Sequence, residues 1–217
     1  MAPPFGPGAN LIATVVLLAV AGGGVGLAII GWAAPYSEWA TRVSYPVGQP
    51  VPFSHQHHVA GLGLDCRFCH ATVEVSPTAG MPPTYTCMTC HSQIWTNAGV
   101  LEPVRRSLAT GDPLHWTRVN RLPDYVYFDH SIHVAKGIGC ATCHGRVDEM
   151  ALTSKEASLR MAWCIDCHRD PAPNLRPRQA VFDMAWQRSS DTPPAGVLFE
   201  QYHLRASGLT DCSVCHR

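Results

Sequence analysis

The chain has no excess charge of either sign: among 217 residues Lys plus Arg is 16 and Asp plus Glu is 16. A neutral chain carries no broad basic field, which excludes general nucleic-acid binding. Lysine is nearly missing, with Lys136 and Lys155 beside 14 arginines. There is no Gly-rich nucleotide loop, no nucleophile elbow and no triad, so the usual nucleotide-dependent and hydrolytic chemistries lack their parts. Long regular elements are disfavoured outside one special segment, because 18 Pro and 18 Gly interrupt the chain. Unpaired cysteine is also missing, and what the ten Cys form decides the reading.

The special segment is residues 11–34, LIATVVLLAVAGGGVGLAIIGWAA, which contains no charge. As a helix it spans roughly 36 Å, more than the bilayer core of about 30 Å. A cleaved signal has a shorter apolar core, about 7–15 residues, after a basic n-region. Here MAPPFGPGAN has no Lys or Arg, and Ala33-Ala34 runs into Pro35, a poor cleavage junction. An uncleaved anchor is expected. The flanks carry no positive cluster to orient it. Trp32, Tyr36 and Trp39 suit an interfacial belt, and Gly22 and Gly26 have the GxxxG spacing that admits a second helix.

All ten Cys fall in five CxxCH motifs: Cys66/Cys69/His70, Cys87/Cys90/His91, Cys140/Cys143/His144, Cys164/Cys167/His168 and Cys212/Cys215/His216. This is the attachment signature of c-type haem. Two thiols add across the vinyl groups of one porphyrin, and the following His supplies an axial nitrogen to iron. A zinc ribbon needs no His after every second Cys, and a disulfide framework would not hold every loop to two residues. Five covalent haems are expected, with His70, His91, His144, His168 and His216 as proximal ligands. Attachment occurs on the outer side of energy-transducing membranes, which orients the anchor with its N-terminus inside. A chain so loaded reads as a multihaem cytochrome: short helices and loops wrapped around haems, with little sheet. The propionates of five haems make a setting in which many Arg find carboxylate partners.

An internal duplication points to the distal ligands. Phe53-Ser54-His55-Gln56-His57-His58-Val59-Ala60 and Phe128-Asp129-His130-Ser131-Ile132-His133-Val134-Ala135 share FxHxxHVA, each leading into a CxxCH pair. His55, His58, His130 and His133 therefore match four irons, each pair at i and i+3 on one helical face. His57 faces Ile132 in the other copy and reads as non-ligating. The fifth iron has no evident partner; Met150, Met161 and His203 are the candidates, ahead of His115 and Met81. The aromatics Tyr125, Tyr127 and Phe128 read as packing on porphyrin faces. The organisation is then a tail (1–10), the membrane helix (11–34), a linker (35–52), a first dihaem unit with its connector (53–127), a second dihaem unit (128–170), a Pro-rich tether (171–198) and the fifth-haem segment (199–217).

The FxHxxH dihaem units resemble cytochromes of the c3 and c7 type. The anchor, FSHQHHVAGLGLDCRFCH, PPTYTCMTCHSQIW, LPDYVYFDHSIHVAKGIGCATCHGRVDEM, RMAWCIDCHR and DCSVCHR together resemble the pentahaem, membrane-anchored cytochrome c subunit of bacterial alternative complex III. That family oxidises quinol in respiratory and photosynthetic chains. The resemblance implies an inner-membrane, single-pass subunit with a periplasmic haem domain and no catalytic residue of its own. It implies an iron–sulfur partner subunit as donor, a monohaem cytochrome subunit as acceptor, and a soluble cytochrome or copper protein downstream. It also implies one His/Met haem, and Met150 and Met161 lie within the matching phrases. A self-sufficient membrane-anchored quinol dehydrogenase is the alternative, and a multihaem reductase is a further one.

Overall fold

The computed structural model describes Gly6, residues 8–205 and residues 207–216; part of the expected tail (1–5 and 7), Ala206 and Arg217 lie outside the described residues. The chain divides into two units, Met1–Arg42 and Val43–Arg217.

In the first unit the uncharged run forms helix α1 (Ala9–Ala33). Its 25 residues make a rod of roughly 37 Å. None of its side chains is buried by the chain. The hydroxyl of Thr14 donates back to the Asn10 carbonyl at 2.8 Å, so this polar group needs no outside partner. Pro35 enters a single 3-10 turn, and α2 (Glu38–Thr41) follows, capped by the Ser37 hydroxyl accepting from Ala40 N–H. Arg42, with φ 55°, stops that helix. Among the described residues, the apolar segment Ala9–Tyr36 is the one helix long and apolar enough to cross a membrane.

In the second unit the described residues hold eight α-helices, none longer than nine residues, and no strand. They are α3 (Cys66–Cys69), α4 (Thr84–His91), α5 (Glu102–Thr110), α6 (His130–Ala135), α7 (Cys140–His144), α8 (Met161–Arg169), α9 (Ala195–Gln201) and α10 (Cys212–Cys215). Five of these are the CxxCH motifs. One helical turn sets the two thiols of each motif at i and i+3 on one face and the His just beyond.

The duplicated segments differ by one residue. His58 to Cys66 is eight residues and His133 to Cys140 is seven. The longer copy absorbs the extra residue in a π-helical turn, Gln56–Gly61, where the shorter copy keeps α-helical α6. Gly63 and Gly137, both with positive φ, then bring the copies back into register.

Eleven apolar side chains are buried among the described residues, a core too small to close a domain of this size on side chains alone. One cluster, Val51, Leu101 and Val104, lies under α4 and α5. The other, Leu175, Leu198 and Tyr202, joins residues 171–198 to α9. Before α9 that Pro-rich segment carries single 3-10 turns, yet Leu175, Val181 and Met184 within it are buried.

Candidate haem-attachment sites

Three pairs of histidines face each other in the second unit. Ring centroids are 6.2 Å apart for His58 and His91, 6.3 Å for His130 and His144, and 6.1 Å for His133 and His168. A metal–imidazole bond is about 2.0–2.1 Å and the ring centre lies about 1 Å farther on, so two rings flanking one iron have centres about 6 Å apart. His55 lies within electrostatic reach of His70: burial first, then His70 and His58, holds His55 down at about 4. His144 is likewise held at about 4, by burial and then by His130, His70 and His55. Each pair joins one His of FxHxxH to one CxxCH histidine. In the second copy His130 meets the first motif and His133 the second, and in the first copy His58 meets the second.

A ligating imidazole needs Nδ1–H anchored so that Nε2 is free for metal. His58 and His133 reach the carbonyls of Ser54 (2.8 Å) and Asp129 (2.7 Å), four residues back in each copy. His70, His91, His168 and His216 reach the carbonyls of Gly80 (2.7 Å), Ile94 (3.3 Å), Leu209 (2.8 Å) and Tyr125 (3.2 Å). His130 reaches the Pro77 carbonyl at 2.8 Å, and His55 the Thr153 hydroxyl at 3.1 Å. These two anchors are exchanged between units, each supplied by the loop after the other unit's first CxxCH. His144 meets the Asn120 amide at 3.2 Å, and Asn120 Oδ1 is the one buried side-chain polar atom without a partner among the described residues. Turning that amide over gives His144 Nδ1–H an oxygen acceptor and satisfies the oxygen.

Sequence reasoning missed these anchors, which come from distant loops. It also missed what the motif phenylalanines touch. Phe53 meets His55 edge-on (4.9 Å, 86°) and stacks on His58 (4.4 Å, 23°). Phe128 repeats this on His130 (4.8 Å, 89°) and His133 (4.6 Å, 27°). The repeated Phe was itself the signal: it sets both rings at right angles, one on its edge and one on its face. Tyr125 stacks on His216 at 5.8 Å.

His216 has no facing histidine among the described residues. His203 takes φ 50° just past α9, where its N–H donates to Glu200 O at 2.9 Å and Leu204 N–H to Phe199 O at 3.1 Å. That is a helix stop. Met150 lies with the first unit, its carbonyl accepting from Gln56 N–H at 3.0 Å and its sulfur from Ser154 N–H at 3.5 Å. Met161 is exposed at the start of α8, one turn before Cys164. His57 stacks on exposed Trp95 at 6.0 Å and faces no CxxCH histidine.

The thiols form a sequence in space. Cys69 is raised by burial and then by Cys87. Cys66 and Cys140 hydrogen-bond each other, which splits the pair, Cys66 falling to about 7 and Cys140 rising. Burial, then Cys167 and Cys164, lifts Cys143 to about 11, and Cys164 rises by burial and then by Cys215. The order is Cys87/Cys90, Cys66/Cys69, Cys140/Cys143, Cys164/Cys167, Cys212/Cys215. The middle is the most enclosed, and Cys90 and Cys212 at the ends are exposed.

Over 114 residues the chain is 32% identical to the "Menaquinone reductase, multiheme cytochrome c subunit" of Nitratidesulfovibrio vulgaris Hildenborough. The chain is similar to a multihaem cytochrome c. The match takes in 52% of this chain and 51% of that protein, so the chain spans about half the length of the relative. No protein-family profile matches it.

Proposed function

We propose that this chain is a membrane-anchored electron-transfer subunit that holds five haem c groups within a quinone-linked complex of the bacterial inner membrane. The observation that carries this is the set of three facing imidazole pairs at 6.1–6.3 Å. Haem c bound there supplies a one-electron iron couple. The chain's part is to attach, ligate and enclose it. The cysteines of each motif hold the porphyrin covalently. His55 with His70, His58 with His91, His130 with His144 and His133 with His168 hold four irons. His216 holds the fifth, and Met150, Met161 and His203 are the candidates for its other side. Irons capped on both faces have no open position for a substrate, which speaks against a multihaem reductase.

The phrases shared with alternative complex III support an iron–sulfur donor and a monohaem acceptor. The relative's name supports a second reading, the same subunit delivering electrons to menaquinone. The two share the haem assignment and differ in direction. Intact mass after denaturation tests that assignment: it should exceed the polypeptide by five haem masses, and four or fewer in fully matured protein would sink it. His130→Ala should leave one high-spin iron that binds carbon monoxide when reduced.

A further inference from the structure

Residues 175–183 clasp the two dihaem units where their attachment motifs meet. Ile138 bridges to Leu175, Arg176 N–H donates to Gly137 O at 2.8 Å, and Cys140 N–H donates to Val181 O at 3.1 Å. On the first-unit side the Arg67 guanidinium lies 4.4 Å over the ring of Phe182. The Cys66 and Cys140 thiols touch at this joint.

Arg176 is set into the joint and only 7% exposed. Its Nη1 donates to Asp183 O at 2.7 Å and Ala180 O at 3.5 Å, and its cation lies 5.0 Å over Trp186. These partners are neutral. Among the described residues no carboxylate comes within ion-pair distance. Asp183 acts on it only from farther off, its carboxylate accepting from Ala185 N–H at 2.9 Å. A guanidinium does not lose its proton in proteins. The joint therefore holds a buried positive charge with no carboxylate bonded to it.

The duplication provides an internal control. Gly63-Leu64-Asp65-Cys66 corresponds to Gly137-Ile138-Gly139-Cys140. In the first copy Asp65 caps α3 and closes a two-pronged pair with Arg67, both bonds 2.8 Å, and Glu74 lies 3.7 Å from the same guanidinium, so that this cation is fully compensated. In the second copy the same place is Gly139. Its backbone, φ −73° and ψ 147°, is open to any residue. A Cβ there would come within 2.3 Å of Arg176 Nε and 2.4 Å of its Cζ. Glycine stands at 139 to admit the guanidinium.

We infer that Arg176, admitted by Gly139, is a fixed electrostatic bias that makes the haem at Cys140 and Cys143 easier to reduce than its duplicate at Cys66 and Cys69. This rests on the haem assignment proposed above. Reduction adds one negative charge to a haem, and a buried cation beside it stabilises that charge with little screening by water. The porphyrin's own propionates hang from the edge away from the thioethers, so they do not cancel a charge on the cysteine side. Both haems would take two imidazoles, and Arg176, from the segment that looks like a tether, sets a charge beside one of them.

The test is a potentiometric titration of the full haem-loaded chain, followed by low-spin EPR. Arg176→Gln should lower one transition, the one whose signal is lost in His130→Ala, by tenfold or more in equilibrium constant, 59 mV for one electron. Arg176→Lys, which keeps the charge, should retain most of the wild-type midpoint. An unmoved midpoint in Arg176→Gln, or an equal fall in Arg176→Lys, overturns the bias. Asp65→Asn keeps the cap, leaves Arg67 with Glu74 as its carboxylate partner, and by removing one negative charge should raise the transition whose signal is lost in His55→Ala. If no Arg176 variant matures, an unmoved midpoint in Asp65→Asn overturns it. Wild-type mass short of five haems defeats the haem assignment itself; five haems with unmoved midpoints defeat only the bias.

Discussion

At the scale of the residue, imidazole orientation is shared between a hydrogen bond at Nδ1 and a phenyl ring. Phe128 touches both distal rings of the second unit, so Phe128→Ala removes packing from two ligands at once. The side chain is half-buried, and the loss should be about 2 kcal/mol, below the range for a full core Phe. Both irons should stay low-spin but with broadened and shifted EPR signals; unchanged signals would show that the hydrogen bonds to Pro77 and Asp129 suffice. Burial also gives these histidines a pH signature. His55 and His144 are held near 4, against about 6.5 in an unfolded chain. Between those values the unfolded chain binds protons that the folded chain refuses, so stability rises with pH across that window. Thermal denaturation should give a flat midpoint above about pH 6.5 and a steady fall from there toward pH 4. A midpoint that rises on acidification would contradict the neutral, ligating form of these rings.

Among the elements, α9 and residues 171–198 do what the short haem helices cannot, by closing the second unit with ordinary side chains. Tyr202 is the fastener: its hydroxyl donates to Arg176 O at 2.7 Å and its carbonyl accepts from Lys136 Nζ at 2.8 Å. Its ring covers Gly137, where φ is 78° and a Cβ would lie 2.3 Å from Tyr202 Cε2. Gly137→Ala meets both a left-handed backbone and that ring, and should cost more than about 1 kcal/mol. Limited proteolysis should then cut within residues 184–205 first; an unchanged cleavage pattern would show that α9 is held elsewhere. The five CxxCH helices and the single apolar helix were legible in the sequence because each is a local rule: a fixed spacing, or an unbroken apolar run. The π turn at Gln56–Gly61 was legible only as one extra residue between His58 and Cys66. The role of residues 171–198 was hidden. Five prolines read as a linker, and what buries Leu175 and Val181 is contact with α9 and α7, which no local pattern encodes.

For the whole molecule, the order of attachment motifs is the property with the clearest consequence. An enclosed middle and exposed ends suit a body that meets one redox partner at each end. One helix with no buried side chain cannot wall a quinone pocket by itself, since such pockets need walls on several sides. The isolated chain should therefore exchange electrons with small redox dyes and show no quinol-dependent haem reduction, gaining it only when assembled with the partner subunits of the proposed complex. Gly22 and Gly26 lie four residues apart on α1 without side chains, a spacing that lets a partner helix approach closely. Gly22→Leu with Gly26→Leu should weaken retention in the complex without changing the haem count. The deciding assay follows haem reduction by quinol in the single subunit, with the whole complex as control. Rapid, inhibitor-sensitive reduction by the subunit alone would replace the wire with a self-sufficient dehydrogenase. If the complex instead reduces menaquinone and fails to oxidise quinol, the wire stands and its direction is the one the relative's name gives.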